Sequence, residues 1–127
     1  MFSPHDLIMM KYNNTKTVYD NIKFDSKLEA KCYEIAKEYI TELQPKFLLE
    51  PGFIHHNKKY RKIEYVADFI IRINNIEYIV DIKGMETPVF KIKHKLFLAR
   101  YPDKDLILIK SQKAMKELLL TSTKLMC

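Results

Sequence analysis

A chain of 127 residues is long enough to bury the core of one domain. Hydrophobic residues make up 47% of it, with eight Tyr and seven Phe, which excludes a disordered polymer. The net charge of +6 favours a polyanionic partner, and no apolar run approaches the ~20 residues that span a bilayer.

The first ten residues lack the apolar segment of a signal peptide, show no periodicity and carry Pro4. The reading expects residues 1–10 to be a flexible extension with Met9 or Met10 as the natural start, and residues 11–127 to form a single domain. Thr17-Val18-Tyr19 and Ile22-Lys23-Phe24 flank Asp20-Asn21 as a short hairpin. Leu28, Cys32, Ile35, Ala36, Tyr39 and Leu43 then recur at helical spacing, which predicts a helix from about Ser26 to Leu43. Ser26 and Glu29 have the spacing of a capping box, which accounts for Glu29 structurally; the alternative is that Glu29 points at the sheet edge as an acid of the site. Gln44-Pro45 ends the helix. Phe47-Leu48-Leu49 reads as a strand closed by Pro51-Gly52.

Asn57 to Lys62 follows, with Lys58, Lys59, Arg61 and Lys62 around Tyr60. The run suits phosphate contact plus base stacking, or it is a solvated loop. Two β-branched and aromatic runs then flank Asn74-Asn75 and read as a hairpin. A turn centred there makes Ile73 face Ile76, Arg72 face Glu77, and Asp68 face Asp81. The Arg72–Glu77 pair supports that register. Lys83 joins the two aspartates, because a strand side chain recurs on the same face every second residue. Two carboxylates set side by side next to a lysine invite a metal ion. Gly84, one of only two glycines, follows the lysine directly.

Gly84 to Pro88 is a connector. Phe90 to Arg100 is expected to be a helix carrying Lys91, Lys93, His94 and Lys95. Asp105 to Ile109 is a buried strand, and a last helix starts near Ser111 or Gln112. The pattern predicts an α/β fold with a central mixed β-sheet flanked by helices. Cys32 and Cys127 have no framework or metal-ligand spacing, so a reduced, intracellular, cytoplasmic protein is the simplest reading. His5, His55, His56 and His94 show no zinc-ligand spacing. The absence of a Gly-rich phosphate loop and of G-x-S-x-G argues against nucleotide-driven motors and serine hydrolases.

Glu29 on the first helix, Asp68 on one strand and Asp81-Ile82-Lys83 on the next resemble the PD-(D/E)XK nuclease superfamily. The chain is more similar still to small phage- and prophage-associated proteins assigned to that superfamily. The matching pieces are Lys11 to Lys16, Phe24 to Ala30, Tyr65 to Phe69, Val80 to Gly84, Thr87 and Phe90 to Leu96. Ala67 stands where the superfamily's name has proline, and Asp81 stands at the D/E position. The resemblance implies a restriction-endonuclease-like core, αβββαβ, and a metal-dependent DNA endonuclease acting on branched or recombination intermediates.

It also implies roles. Asp68, Asp81, the Ile82 backbone carbonyl and Glu29 would hold Mg²⁺, with Mn²⁺ as substitute; hard oxygen donors suit such ions. Lys83 would orient the attacking water or stabilise charge in the transition state. Lys91 or Lys93 would contact the scissile phosphate. A resolvase acting on two strands calls for a homodimer, for which the apolar residues of Phe90 to Tyr101 and Leu118 to Leu120 offer an interface, unless both stretches merely cover the sheet. The alternatives are a site-specific or end-processing DNA nuclease, and a nucleic-acid-binding accessory protein that kept the fold without catalysis.

Overall fold

The computed structural model describes residues 17–124. In chain order the strands and helices are β1 (Thr17–Tyr19), β2 (Ile22–Phe24), α1 (Lys27–Ala36), β3 (Ile40–Leu43), β4 (Lys46–Glu50), β5 (Phe53–His55) and β6 (Lys58–Tyr60). They continue with β7 (Ile63–Val66), β8 (Phe69–Ile73), β9 (Ile76–Ile82), α2 (Pro88–Arg100), β10 (Asp105–Ile109) and α3 (Gln112–Lys124). The expected extension, residues 1–10, lies outside the described residues, as does Cys127.

The central sheet is mixed, in the order β10–β9–β8–β3. β10 runs parallel to β9, and the other neighbours are antiparallel. The parallel pair is joined through α2, the crossover such a pair requires. The β8–β9 hairpin has the register expected from its turn: Ile73 faces Ile76, Arg72 faces Glu77, and Phe69 faces Val80. Asn74 and Asn75 take φ of 53° and 68°, the left-handed pair that a two-residue hairpin turn demands and asparagine tolerates. Arg72 and Glu77 meet at 3.2 Å.

Helix α1 starts where expected. The Ser26 hydroxyl accepts the Glu29 amide at 3.1 Å, while the Glu29 carboxylate accepts the Asp25 amide at 3.4 Å, one residue earlier than a capping box would reach. The helix does not continue to Leu43. It closes at Ala36 into a short tighter turn, Lys37–Tyr39, and residues 40–43 become a strand paired with β8. The helical spacing of Tyr39 and Leu43 was misleading, because β-branched Ile40 and Thr41 gain more from a sheet edge than from another helical turn.

Strand β4 pairs with β7 just as β3 pairs with β8. Backbone hydrogen bonds carry the pairing through the break between them, from the Gln44 amide to the Asp68 carbonyl at 2.8 Å and from the Ala67 amide to the Pro45 carbonyl at 3.1 Å. The two arms therefore form one long antiparallel ribbon with a bend at Gln44-Pro45 and Ala67-Asp68. The run from Ile63 to Ile73 is thus two strands rather than one, and Asp68 occupies the bend.

Two apolar layers sandwich the sheet. One face, with Phe69, Ile71, Ile73, Val80, Ile82 and Ile109, packs on Cys32 and Ala36 of α1 and Met115 of α3. The other, with Ile70 and Ile79, packs on Phe90 and Phe97 of α2 and on Leu49, Tyr65 and Ala67 of the ribbon. Phe97 is fully buried, with the Phe47 ring 5.0 Å and the Tyr65 ring 5.4 Å away. Phe97→Ala is expected to cost about 3–5 kcal/mol, read as a shift of the urea unfolding midpoint. Phe90 and Phe97 thus cover the sheet, and the outward apolar positions of α2 are Val89, Ile92, Leu96 and Leu98. No helix among the described residues is long and apolar enough to cross a membrane.

Candidate active site

Asp81 lies near the end of β9, flanked by Leu108 of β10 on one side and the end of β8 on the other. At 2% exposure it is the one buried charged residue among those described. Burying a carboxylate is costly unless it is hydrogen-bonded and paired. The Tyr65 hydroxyl donates to Asp81 Oδ2, and Lys83 Nζ stands 4.0 Å from Asp81 Oδ1. The ladder extends one step past β9, since the Lys83 amide donates to the Ile109 carbonyl at 2.9 Å. That bond fixes the backbone from which Lys83 returns toward Asp81. The ammonium also lies 4.7 Å from the centre of the Phe90 ring, which brings the first turn of α2 to the site. Thr87 caps that turn, accepting the Phe90 amide at 3.1 Å.

Asp68 is held by its backbone and its side chain. Its amide donates to the Val80 carbonyl at 3.1 Å, and its Oδ2 accepts the Ile82 amide at 2.6 Å. The bend turns the Asp68 carboxyl toward β9, so the two aspartates converge. Burial raises the Asp68 pKa; its hydrogen bond to Asp81 and the charges of Glu29 and Asp81 push the same way, while the Ile82 amide opposes them. These forces favour a proton on Asp68, which is how two neighbouring carboxyls relieve repulsion without a cation.

Glu29 approaches the same cluster from α1. Burial, and then the charge of Asp25, pushes its pKa up to about 7, with Lys83 pulling it down and Asp81 pushing it up. Glu29 and Asp68 share the wall of a cavity of about 310 Å³ lined also by Phe24, Leu43, Gln44 and Phe69. Glu29 thus bonds back to the Asp25 amide ahead of α1 and also faces the acids. Cys32 lies behind them on α1, its thiol raised to about 11 by burial and by the charges of Asp68 and Glu29.

The fold thus gathers Glu29, Asp68, Asp81, Ile82 and Lys83 around one end of the sheet. Lys91 is exposed and Lys93 half-buried on the helix whose first turn touches Lys83. Lys58, Lys59, Arg61 and Lys62 are not at the cluster. Lys58 and Lys59 lie on β6, and Arg61 and Lys62 form the link between β6 and β7. Tyr65 is the residue that sequence reasoning missed. Its hydroxyl is shared with Asp81, and burial followed by the Asp81 charge pushes its pKa up. The signal was faint: an aromatic in an apolar strand reads as core. Gly84 carries no steric requirement, because a Cβ there would meet nothing within 4 Å.

Among the described residues, no three His, Cys, Asp or Glu side chains stand close enough to hold a metal ion by themselves. Magnesium asks for less, binding through one or two carboxylates with waters and substrate phosphate completing the shell. Two converging carboxyls, of which Asp68 would give up its proton on binding, fit such an ion by donor chemistry.

The molecule is an α/β protein with a mixed sheet, helices on both faces and, at one end, an acid pair of which Asp81 is buried and Asp68 half-buried. It matches, over residues 9–116, the family described as "Protein of unknown function (DUF1064)", and the chain belongs to that family. No curated protein and no solved structure gives a significant match.

Proposed function

We propose that this protein is a metal-dependent DNA endonuclease of the PD-(D/E)XK kind, acting on branched or recombination intermediates in the cytoplasm. The observation that carries the reading is the convergence of Asp68 and Asp81 with Lys83 at 4.0 Å from Asp81. Asp68, Asp81 and the Ile82 carbonyl would hold Mg²⁺ or Mn²⁺, with Glu29 as a further donor; the bound ion supplies positive charge and a more acidic water. The chain's own groups do the rest. Lys83, pinned through its amide to Ile109, orients the attacking water and offsets charge growing on the phosphate. The Phe90 ring, 4.7 Å from the Lys83 ammonium, helps to hold it at the site. Lys91 and Lys93 are placed to grip phosphate beside the site, and Lys58, Lys59, Arg61 and Lys62 add contacts further along the substrate.

One observation favours a second reading. The Tyr65 hydroxyl already occupies an oxygen of Asp81, and Ile82 already donates to Asp68. Acids satisfied by protein groups suit a nucleic-acid-binding accessory protein of the same fold that does not cut.

The test is incubation with Mg²⁺ and a panel of linear, nicked, flapped and four-way DNA, paired with sedimentation at micromolar protein. Paired, Mg²⁺-dependent cuts in the four-way substrate by a dimer are the expected result. The exposed Val89, Ile92 and Leu96 of α2 offer the dimer its apolar surface. A monomer that cuts linear and four-way DNA equally indicates an end-processing nuclease, and binding without any cleavage indicates the accessory protein.

A further inference from the structure

The segment between β4 and β7 is where sequence and structure differ most. A solvated loop was one expectation for the lysine-rich run; instead β5 and β6 form a two-stranded ribbon that stands alone as its own sheet. Phe53 faces Tyr60, Ile54 faces Lys59 and His55 faces Lys58, across a turn in which His56 and Asn57 take φ of 49° and 64°. Every residue from 51 to 63 is exposed. The segment has no Asp or Glu and carries four cations and two histidines. Lys62 pairs with Glu64 at 3.6 Å, while Lys58, Lys59 and Arg61 form no ion pair among the described residues. Gly52 lets the ribbon close at its base, where a Cβ would come within 3.0 Å of the Tyr60 carbonyl oxygen.

The ribbon is stiffened without a core. Phe53 and Tyr60 stack with ring centroids 4.9 Å apart at 12°, and Lys58 lies 5.1 Å over the Tyr60 ring. Ile54, 71% exposed, projects from the opposite face beside Lys59. Successive strand residues point to opposite faces, so Lys58 and Lys59 direct cations to both sides of one narrow blade. An uncovered β-ribbon with cations on each face suits a groove with a phosphate wall on either side.

We infer that the β5–β6 ribbon inserts into the major groove of duplex DNA that flanks the site of cleavage, an inference that rests on the proposed nuclease reading for the word cleavage but not for binding. The major groove of B-form DNA, about 12 Å wide, admits a two-stranded ribbon. The deep, narrow groove of double-stranded RNA does not offer the same access. Tyr60 and Tyr65 belong to one run of chain and stand at most about 18 Å apart even if fully extended. That is about five base pairs of rise, so a duplex seated on the ribbon reaches Asp81, the partner of Tyr65. Lys58, Lys59 and Arg61 contact phosphates on the groove walls, and Ile54, on the face opposite Phe53, makes apolar contact with base edges.

Fluorescence anisotropy with a labelled duplex of about 30 base pairs, in EDTA so that cleavage cannot contribute, tests this. The variant Lys58→Ala/Lys59→Ala/Arg61→Ala is expected to bind the duplex tenfold or more weakly at 0.1 M salt. The slope of log K against log salt should fall by about 2–3. Ile54→Ser is expected to weaken duplex binding several-fold with the slope unchanged. Thermal melting checks that each variant folds, as substitutions on an exposed ribbon should. Wild-type protein that does not bind duplex, a triple variant with unaltered affinity and slope, or an equal loss for single-stranded DNA overturns the inference. Ribbon-dependent duplex binding by a protein that cuts nothing would refute the nuclease reading alone. Cleavage by a protein whose ribbon variants bind like wild type would refute this inference alone.

Discussion

Asp68→Asn is expected to stabilise the cation-free protein at pH 8 by about 1–3 kcal/mol, or about 3–10 °C in Tm. Most substitutions of a well-anchored side chain destabilise, so the sign is a strong test. The asparagine oxygen can still accept the Ile82 amide that Asp68 accepts at 2.6 Å. What disappears is the cost, at pH 8, of holding a proton on a carboxyl whose ionisation burial, its contact with Asp81 and the nearby Glu29 all oppose. The pH dependence has a definite sign. The pKa values of Asp68 and Glu29 are raised in the folded state, so between the ordinary carboxylate range and the raised values the native protein holds more protons than the unfolded chain. Stability therefore falls as pH rises through that window, which for Glu29 runs from its ordinary 4.5 to about 7. Melting in EDTA from pH 5 to pH 8 should show a declining Tm for wild type and a shallower decline for Asp68→Asn. An Asp68→Asn protein that melts below wild type at pH 8 would mean the carboxylate stabilises the fold.

Asp81→Asn and Lys83→Ala are each expected to lower Mg²⁺-dependent cleavage by about 10³-fold, the scale of losing one group that meets transition-state charge. Asparagine keeps an acceptor for the Tyr65 hydroxyl, so the packing around residue 81 survives. Duplex affinity in EDTA should not fall in Asp81→Asn, because a carboxylate repels phosphate until a cation binds. Single-turnover cleavage rates check this, and unaltered rates in both variants would place any nuclease activity elsewhere.

The parts of the site governed by local rules could be read from the chain. Asn74-Asn75 names its own turn, and once the turn is placed the register follows down to Phe69 facing Val80; Asp68 reaches Asp81 from the bend beyond that last pair, and Lys83 from just past the end of β9. Ser26 likewise names the start of α1. The parts that depend on tertiary pairing could not. Residues 40–43 continue a helical spacing, yet become an edge strand because β8 offers backbone partners. Ile63 to Ile73 looks like one apolar run, yet it bends at Ala67-Asp68 to stay paired with the bend at Gln44-Pro45. The β5–β6 ribbon was hidden because His56-Asn57 is a weaker turn signal than Asn-Gly, and because neither face is covered, so no apolar alternation marks it. Tyr65 was hidden because its ring belongs to the core and only its hydroxyl belongs to the site.

On the proposed reading, the bend at Asp68 and the end of β9 hold a divalent cation through Asp68, Asp81 and the Ile82 carbonyl. An anomalous-difference map from crystals soaked in Mn²⁺ tests it most directly. The expected result is a peak between the two carboxylates and that carbonyl, lost in Asp81→Asn. A wild-type map with no peak there under saturating Mn²⁺, or with the Tyr65 hydroxyl still seated on Asp81 and the ion bound elsewhere, would contradict it.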